Sequence, residues 1–424
     1  MKIEIAHGRV VDPAGRTDRA ASLFVADGRI AGIDAPPAGF RPDRVIDARG
    51  LVVAPGLVDL SARLREPGLE YKATLESEMA AAIAGGVTRL ACPPDTDPPL
   101  DEPGLVEMLK HRARSLNQAH VHPIGALTVQ LKGDTLTEMG ELVEAGCVAF
   151  SHADVPLHDT ELLWRAMQYA STFGYPLWLR PTDPYLGRIG VAHDGEVASR
   201  LGLPAIPALT EIVAVQTLLA LARDTGVRLH IARLSSAQGV DLVRAAKRDG
   251  LAVTCDVAVH HLHLCDVDIG WFDSDANLVP PLRTVRDRAA LRAGVADGTI
   301  DVVCSDHAPV DDDAKQVPFG EAEPGATGLE LLLPLTLKWA AEDNVPLVDA
   351  LARITSAPAR LMERDAGTLA PGAEADLCIF DPQAWWTVER SALRSQGKNT
   401  PFLGLEVPGR VRYTLVGGQV VHEG

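Results

Sequence analysis

No uninterrupted apolar run in the sequence approaches the roughly 18 residues that a membrane-spanning helix needs. The opening Met1-Lys2-Ile3-Glu4-Ile5 has no apolar signal-peptide core. Cysteine is sparse and nowhere forms a CxxC pair. Cys92, Cys147, Cys255, Cys265, Cys304 and Cys378 lie far apart, mostly within apolar runs, which predicts buried thiols in a reducing compartment. Positive charge is in deficit, with 40 Lys and Arg against 57 Asp and Glu for a formal net charge of −17. That balance argues against nucleic acid or an anionic membrane surface as a partner. No GxGxxG follows the first strand-like run, and no low-complexity tract or solenoid-period repeat occurs. These absences predict a soluble cytoplasmic globular protein. Its 424 residues suit one barrel-sized domain with a smaller one, or two to three ordinary domains.

What is present is alternation. Near the start, Lys2–Val11, Ala21–Ile33 and Arg44–Val53 carry alternating Ile, Val and Leu, broken by Asp12-Pro13-Ala14-Gly15, Asp27-Gly28 and Ala48-Arg49-Gly50. Near the end, Ala375–Phe380 and Arg410–Leu415 are strand-like, and Val416-Gly417-Gly418-Gln419 reads as a hairpin turn. The two ends are expected to share one small β domain, a β-sandwich formed by residues 1–54 and 365–424. Between them, strand-like runs at Gly56–Leu64, Val87–Pro93, Val121–Leu127, Cys147–Ser151, Pro176–Arg180, Val227–Arg233, Ala252–Val257 and Asp301–Ser305 alternate with helical spacing. The helical stretches include Leu75–Ala84, Leu105–Leu116, Glu161–Thr172, Glu211–Asp224 and Ala237–Lys247. Eight βα pairs predict an α/β fold, a (β/α)8 TIM barrel over residues 55–364. A doubly wound open sheet is the other fold considered.

In a barrel, function sits on the loops that follow the strands. Those positions read Ser61-Ala62-Arg63-Leu64-Arg65-Glu66-Pro67-Gly68, Pro93-Pro94-Asp95, Ser151-His152-Ala153-Asp154, Arg180-Pro181-Thr182-Asp183, His230 with Arg233-Leu234-Ser235-Ser236, His260-His261, and Ser305-Asp306-His307-Ala308-Pro309. With Ala54-Pro55-Gly56-Leu57-Val58-Asp59, Ala84-Gly85-Gly86-Val87-Thr88, Pro280-Pro281-Leu282-Arg283 and Pro324-Gly325-Ala326-Thr327-Gly328-Leu329-Glu330, they make the chain resemble, end to end, a dihydroorotase of the amidohydrolase superfamily. The resemblance implies a barrel with a small β domain built from both chain ends. It also implies one or two Zn²⁺ ions that activate a water to open or close the dihydroorotate ring.

The metal positions depart from that pattern. Where the family carries His-x-His after the first strand, this chain has Ser61 and Arg63. Its bridging carboxylate falls on Ala153, and its fifth-strand histidine on Arg180. Only His230 and Asp306 remain. A catalytic zinc wants three protein ligands and an open position, and a guanidinium has no lone pair to offer. Two unit charges 4 Å apart interact by about 4 kcal/mol at an effective dielectric of 20, so an arginine beside a dication is strongly unfavourable. Asp306 then needs a cation, and Arg63 or Arg180 is expected to supply it through a salt bridge that replaces the metal. The substrate-binding positions have eroded too. Arg65 matches the carboxylate-gripping arginine, but Asp95, Val279 and Val310 stand where the family has Asn, Asn and His.

Outside those positions, His230 is expected to be a satisfied core histidine and His307 to brace its loop. Arg65 is expected to pair with Glu66 or Asp95, Asp311-Asp312-Asp313 to form a solvated flexible loop, and Trp385-Trp386 to pack or form an interface patch. The resemblance therefore implies a dihydroorotase homologue without catalytic residues or bound zinc. In this family, chains lacking the zinc ligands serve as structural partners of the aspartate transcarbamoylase catalytic chain in pyrimidine biosynthesis. The implied assembly is a hetero-dodecamer, with a homo-oligomer as another possibility. Arg114, Arg165, Arg188, Arg200 and the Trp385-Trp386 pair are candidate interface groups. The alternative is an active dihydroorotase or related cyclic-amide hydrolase, its mononuclear metal site rebuilt around His230 and Asp306 with His152, His260 or His307. A third reading is a module holding a small anion among Arg63, Arg65 and Arg180.

Overall fold

The computed structural model describes all 424 residues. Eight short parallel runs form its centre: Leu57–Asp59, Val87–Cys92, His120–Pro123 continuing into Gly125–Ala126, Phe150–Ser151, Leu177–Leu179, Leu229–Ile231, Val253–Ala258 and Val302–Cys304. Each pairs in parallel with the next in chain order. The ring closes where Ala62 bridges His307 and the Arg63 amide donates to the His307 carbonyl at 2.9 Å. This is the (β/α)8 barrel, not an open sheet. The third strand changes partner midway, its first half pairing with the second strand and its second half with the fourth.

Helices form where apolar residues recur at helical spacing behind a capping hydroxyl. Leu75–Ala84 begins at Thr74, whose hydroxyl accepts from the Ser77 amide in a reciprocal capping box. Ala237–Arg248 begins at Ser236, which accepts from the Gly239 amide. The other expected helices occupy Pro103–Leu116, Thr160–Phe173 and Leu209–Thr225. The acidic run differs from its expected form. Asp311 caps a short helix, Asp312–Lys315, and Asp312 pairs with Arg390, because carboxylates at a helix start satisfy its free amides.

The two chain ends share one sheet. Its order runs Gln419–Glu423, Glu406–Val416, Leu377–Thr387, Val52–Pro55, Lys2–Asp12, Thr17–Ala26, Arg29–Ile33, with Arg44–Asp47 also on Lys2–Asp12. N- and C-terminal strands meet where Leu377–Phe380 runs antiparallel to Val52–Pro55. The sheet curls around Ile3, Ile5, Leu23, Val53, Ile379 and Leu415, which are buried in one cluster. The turn at Asp27-Gly28 therefore touches the other at Gly417-Gly418. No helix is long and apolar enough to cross a membrane.

Candidate functional site

The carboxyl ends of the barrel strands open on one side, and four residues there hold left-handed backbone: Arg65 (φ 63°), Ala153 (φ 50°), Arg233 (φ 58°) and Asp306 (φ 46°). Non-glycine residues adopt this conformation rarely, so the fold bends sharply at the strand ends to place these side chains.

What it places is an alternating set of guanidiniums and carboxylates. Asp154 accepts from Arg63 Nη2 at 2.6 Å and from Arg233 Nη2, and its carboxylate lies 2.7 Å from Arg180 Nε as an ion pair. Arg180 Nη2 also donates to the Asp154 carbonyl at 2.9 Å. Asp306 Oδ1 lies 2.9 Å from Arg233 Nη1, 3.4 Å from Arg63 Nη1 and 3.2 Å from the Ser61 hydroxyl. Arg63 Nε donates to Asp95 Oδ2 at 2.7 Å. Three arginines thus face three aspartates, and the formal charges cancel. Burial alone would raise the Asp154 carboxyl, yet Arg233, Arg63 and Arg180 hold it well below the usual carboxylate range. Burial likewise opposes ionised Asp306, but Arg233 and Arg63 keep its pKa lowered. Asp95, Asp154 and Asp306 push Arg63 well above its ordinary value against its desolvation.

Several expectations change here. Asp306 is paired by Arg63 and Arg233; Arg180 reaches Asp154 instead, because its guanidinium approaches from the fifth strand beside the fourth. Arg65 pairs with neither Glu66 nor Asp95. Its Nε donates to the Pro309 carbonyl at 2.9 Å, Glu66 is taken by Arg112, and Asp95 by Arg63. Arg63, Arg65 and Arg180 therefore do not make a free cationic pocket: each is spent on an acceptor already in the chain. Val279 offers only its carbonyl, 3.4 Å from Arg233 Nη1, and Val310 is buried with its amide on Asn399. Trp386 packs, donating to the Gly409 carbonyl, whereas Trp385 is exposed.

Two residues that carry the network had no role assigned from sequence. Arg233 stands three positions past His230 at the end of the sixth strand, and Asp154 one position past Ala153. The signal was the compensation itself: new arginines at strand ends require new carboxylate partners nearby.

The histidines are largely committed elsewhere. His230 sits 2.8 Å from Asp256 and 2.9 Å from the Thr254 hydroxyl, and Asp256 also accepts from the Arg233 amide at 2.7 Å. His152 lies between the Thr128 hydroxyl and the Val155 carbonyl, both at 2.8 Å. His307 bonds Glu78 at 2.6 Å and the Gly328 amide at 3.1 Å. Of the histidines considered for a rebuilt site, only His260 keeps a buried nitrogen without a partner. Burial lowers it to about 4.

The residues present do not fit a zinc ion. A metal at Asp306 would lie among the guanidiniums of Arg63 and Arg233, with His260 the one uncommitted donor where three are needed. A three-donor cluster exists at the opposite end of the barrel, where His120, Glu374 and Asp376 converge. There too a guanidinium fills the cation's place, with Arg89 Nη2 at 2.9 Å from Asp376 Oδ2.

Residues 50–239 match the family described as Dihydro-orotase-like, and residues 190–421 the Amidohydrolase family. The chain is 45% identical over 424 residues to a dihydroorotase-like protein of Pseudomonas aeruginosa, covering 100% of both. It is 41% identical to a dihydroorotase of Syntrophotalea carbinolica, covering 100% of this chain and 99% of the relative. The L-hydantoinase (dihydropyrimidinase) of Arthrobacter aurescens superposes with a TM-score of 0.90 at 25% identity, over 99% of this chain and 96% of that one.

Proposed function

This chain belongs to the dihydroorotase-like amidohydrolases, and from that premise we propose that it is a catalytically silent member serving as a structural subunit of an aspartate transcarbamoylase complex. The observation that carries the reading is the closed network of Arg63, Arg180 and Arg233 with Asp95, Asp154 and Asp306. Hydrolysing a cyclic amide needs a water made nucleophilic and a group to take its proton. Here both surviving metal-position residues are engaged, His230 by Asp256 and Asp306 by two arginines. The carboxylates, pinned as anions by guanidiniums, are weak bases for such a step. Loss of chemistry with an intact barrel fits a protein kept for its surface.

The partner and the hetero-dodecamer come from the family resemblance. Ile189 is 82% exposed and Trp271 87%, apolar side chains open to a partner. The second reading, a cyclic-amide hydrolase with a rebuilt mononuclear site, draws on His260, whose unpartnered nitrogen lies buried close enough to Asp306 to act on its charge.

One set of measurements separates them. The chain is purified alone and with the same organism's aspartate transcarbamoylase, and dihydroorotate hydrolysis, bound zinc and mass by light scattering are measured. Expected are no turnover, zinc well below one per chain, and a large mixed complex. Zinc-dependent turnover by the isolated chain would overturn the silent reading, and a transcarbamoylase that elutes separately would overturn the assembly.

A further inference from the structure

On the amino-terminal side of the barrel, away from the arginine–aspartate network, lies an open cavity of about 620 Å³. The end of helix Pro103–Leu116, the start of strand His120–Pro123 and the turn after helix Met139–Ala145 form its walls, and Arg364 closes one side. Its charged lining is entirely basic: Lys110, Arg114 and Arg364, with His120 and His122, and no carboxylate. In a chain with 57 acidic residues against 40 basic ones, a cavity of this size without an acidic wall runs against composition.

These cations are not spent on internal acceptors of opposite charge. Lys110 Nζ donates to the Ala145 carbonyl at 2.8 Å, and Arg114 Nε to the Lys110 carbonyl at 3.2 Å. Arg364 forms no ion pair. The Ala145 carbonyl lies at a helix end, where a cation offsets a partial negative charge of about half a unit. Three full positive charges exceed that. Glu374 and Asp376 stand behind His120 at 3.7 and 3.6 Å and are already held by Arg89.

The fold builds this arrangement with some care. Gly146 ends helix Met139–Ala145 in left-handed backbone (φ 111°), and a Cβ there would fall 1.9 Å from Lys110 Nζ. Glycine suits the left-handed backbone there, and a larger residue would displace the ammonium from its place at the cavity edge. His122 Nε2, His120 Nε2 and Gln118 Oε1 are buried at the wall without hydrogen-bond partners. Burial depresses His122 to about 3, and Arg364, Arg89, His120 and Lys110 push in the same direction. Buried polar atoms without partners are uncommon, and here they surround an excess of unpaired cations.

We propose that this cavity is a binding site for a small phosphate-bearing anion, held by the forked donors of Arg114 and Arg364 and the Lys110 ammonium, with the His122 imidazole as a further donor. Arginine forks match phosphate oxygens in geometry, and the volume falls within the ordinary range for small-molecule sites. The inference does not depend on whether the barrel mouth is silent.

Titration calorimetry of the full chain at neutral pH and low ionic strength, with inorganic pyrophosphate as the probe, tests it. Binding is expected, and Arg364→Ala and Arg114→Ala should each weaken it by about tenfold, as for loss of one charge-assisted fork. Both arginines are exposed, so their variants should melt like the parent chain. Arg248→Ala, an exposed arginine on a distant helix, should bind as the parent does. Pyrophosphate should also move the ring-proton resonances of His120 and His122. A phosphate monoester in a parallel titration distinguishes a site for esterified phosphate, which binds it at least as tightly, from one for the free ion; either supports the proposal. No binding up to about 10 mM probe, or binding that Arg364→Ala and Arg114→Ala leave intact, would overturn it.

Discussion

Asp154 shows how one side chain can reorganise a site. Three guanidiniums converge on it, from the first, fifth and sixth strand ends, and Arg180 has no other carboxylate partner. Asp154→Ala leaves those charges facing one another. The expected cost is about 3 kcal/mol, the low end for breaking a buried pair, because 34% of the Asp154 side chain still reaches water. Urea denaturation checks it, with Asp249→Ala as the contrast. Asp249 pairs with Arg223 on the surface, where both side chains are more than half exposed, and its loss should leave the unfolding midpoint in place. If the two variants behave alike, the network is not a structural replacement for the metal centre.

Among elements, the junction between barrel and sheet turns on the short link from helix Leu75–Ala84 into strand Val87–Cys92. Gly86 takes φ 82°, and a Cβ on it would lie 2.4 Å from Cys378 Sγ in strand Leu377–Thr387. Left-handed backbone and close approach coincide there, so Gly86→Ala brings both strain and a clash with a buried neighbour. A loss of about 2–4 kcal/mol is expected from equilibrium unfolding, more than the usual cost of alanine at a left-handed position alone. The elements themselves were legible in sequence where two signals agreed. Leu75–Ala84 was readable because its apolar spacing stops at Gly85-Gly86, and the structure adds the Thr74 cap at its start. The fourth strand was expected at Cys147–Ser151 and is only Phe150–Ser151, because Cys147 is bonded back to the preceding helix, its amide donating to the Leu142 carbonyl. Val148 and Ala149 already reach the third strand, the Val148 amide donating to the Pro123 carbonyl and the Gly125 amide to the Ala149 carbonyl.

For the whole molecule, the buried ionisable groups set the response to pH. Burial depresses His260 to about 4, His261 to about 3, His263 to about 4 and His122 to about 3. An unfolded histidine takes up its proton near pH 6.5, so these four stabilise the fold above that value and lose their contribution as pH falls toward their folded values. Asp59 and Glu330 act in the opposite sense. Burial raises them to about 6 and about 7, so their contribution is full below their unfolded values near 4 and is lost as pH rises through the folded ones. Four groups outweigh two, and the urea midpoint should be lower at about pH 5 than at about pH 7. A midpoint that rises on acidification would show that the two carboxylates dominate.

Some properties of this protein follow from sequence alone. The (β/α)8 barrel was written in the repeated change from strand to helical spacing, and so was the unsuitability of Arg63 and Arg180 as metal ligands, because a guanidinium has no lone pair to give wherever it points. Tertiary structure decided the rest. That Arg233, not Arg180, joins Arg63 on Asp306, and that Asp154 holds three arginines together, depends on side chains from five strand ends meeting at the barrel mouth. That Lys110, Arg114 and Arg364 share one cavity depends on a helix end and a loop about 250 residues apart in sequence being brought together. Residue chemistry and local spacing are properties of short segments, readable in order along the chain. Which charges become neighbours is settled only when the barrel closes.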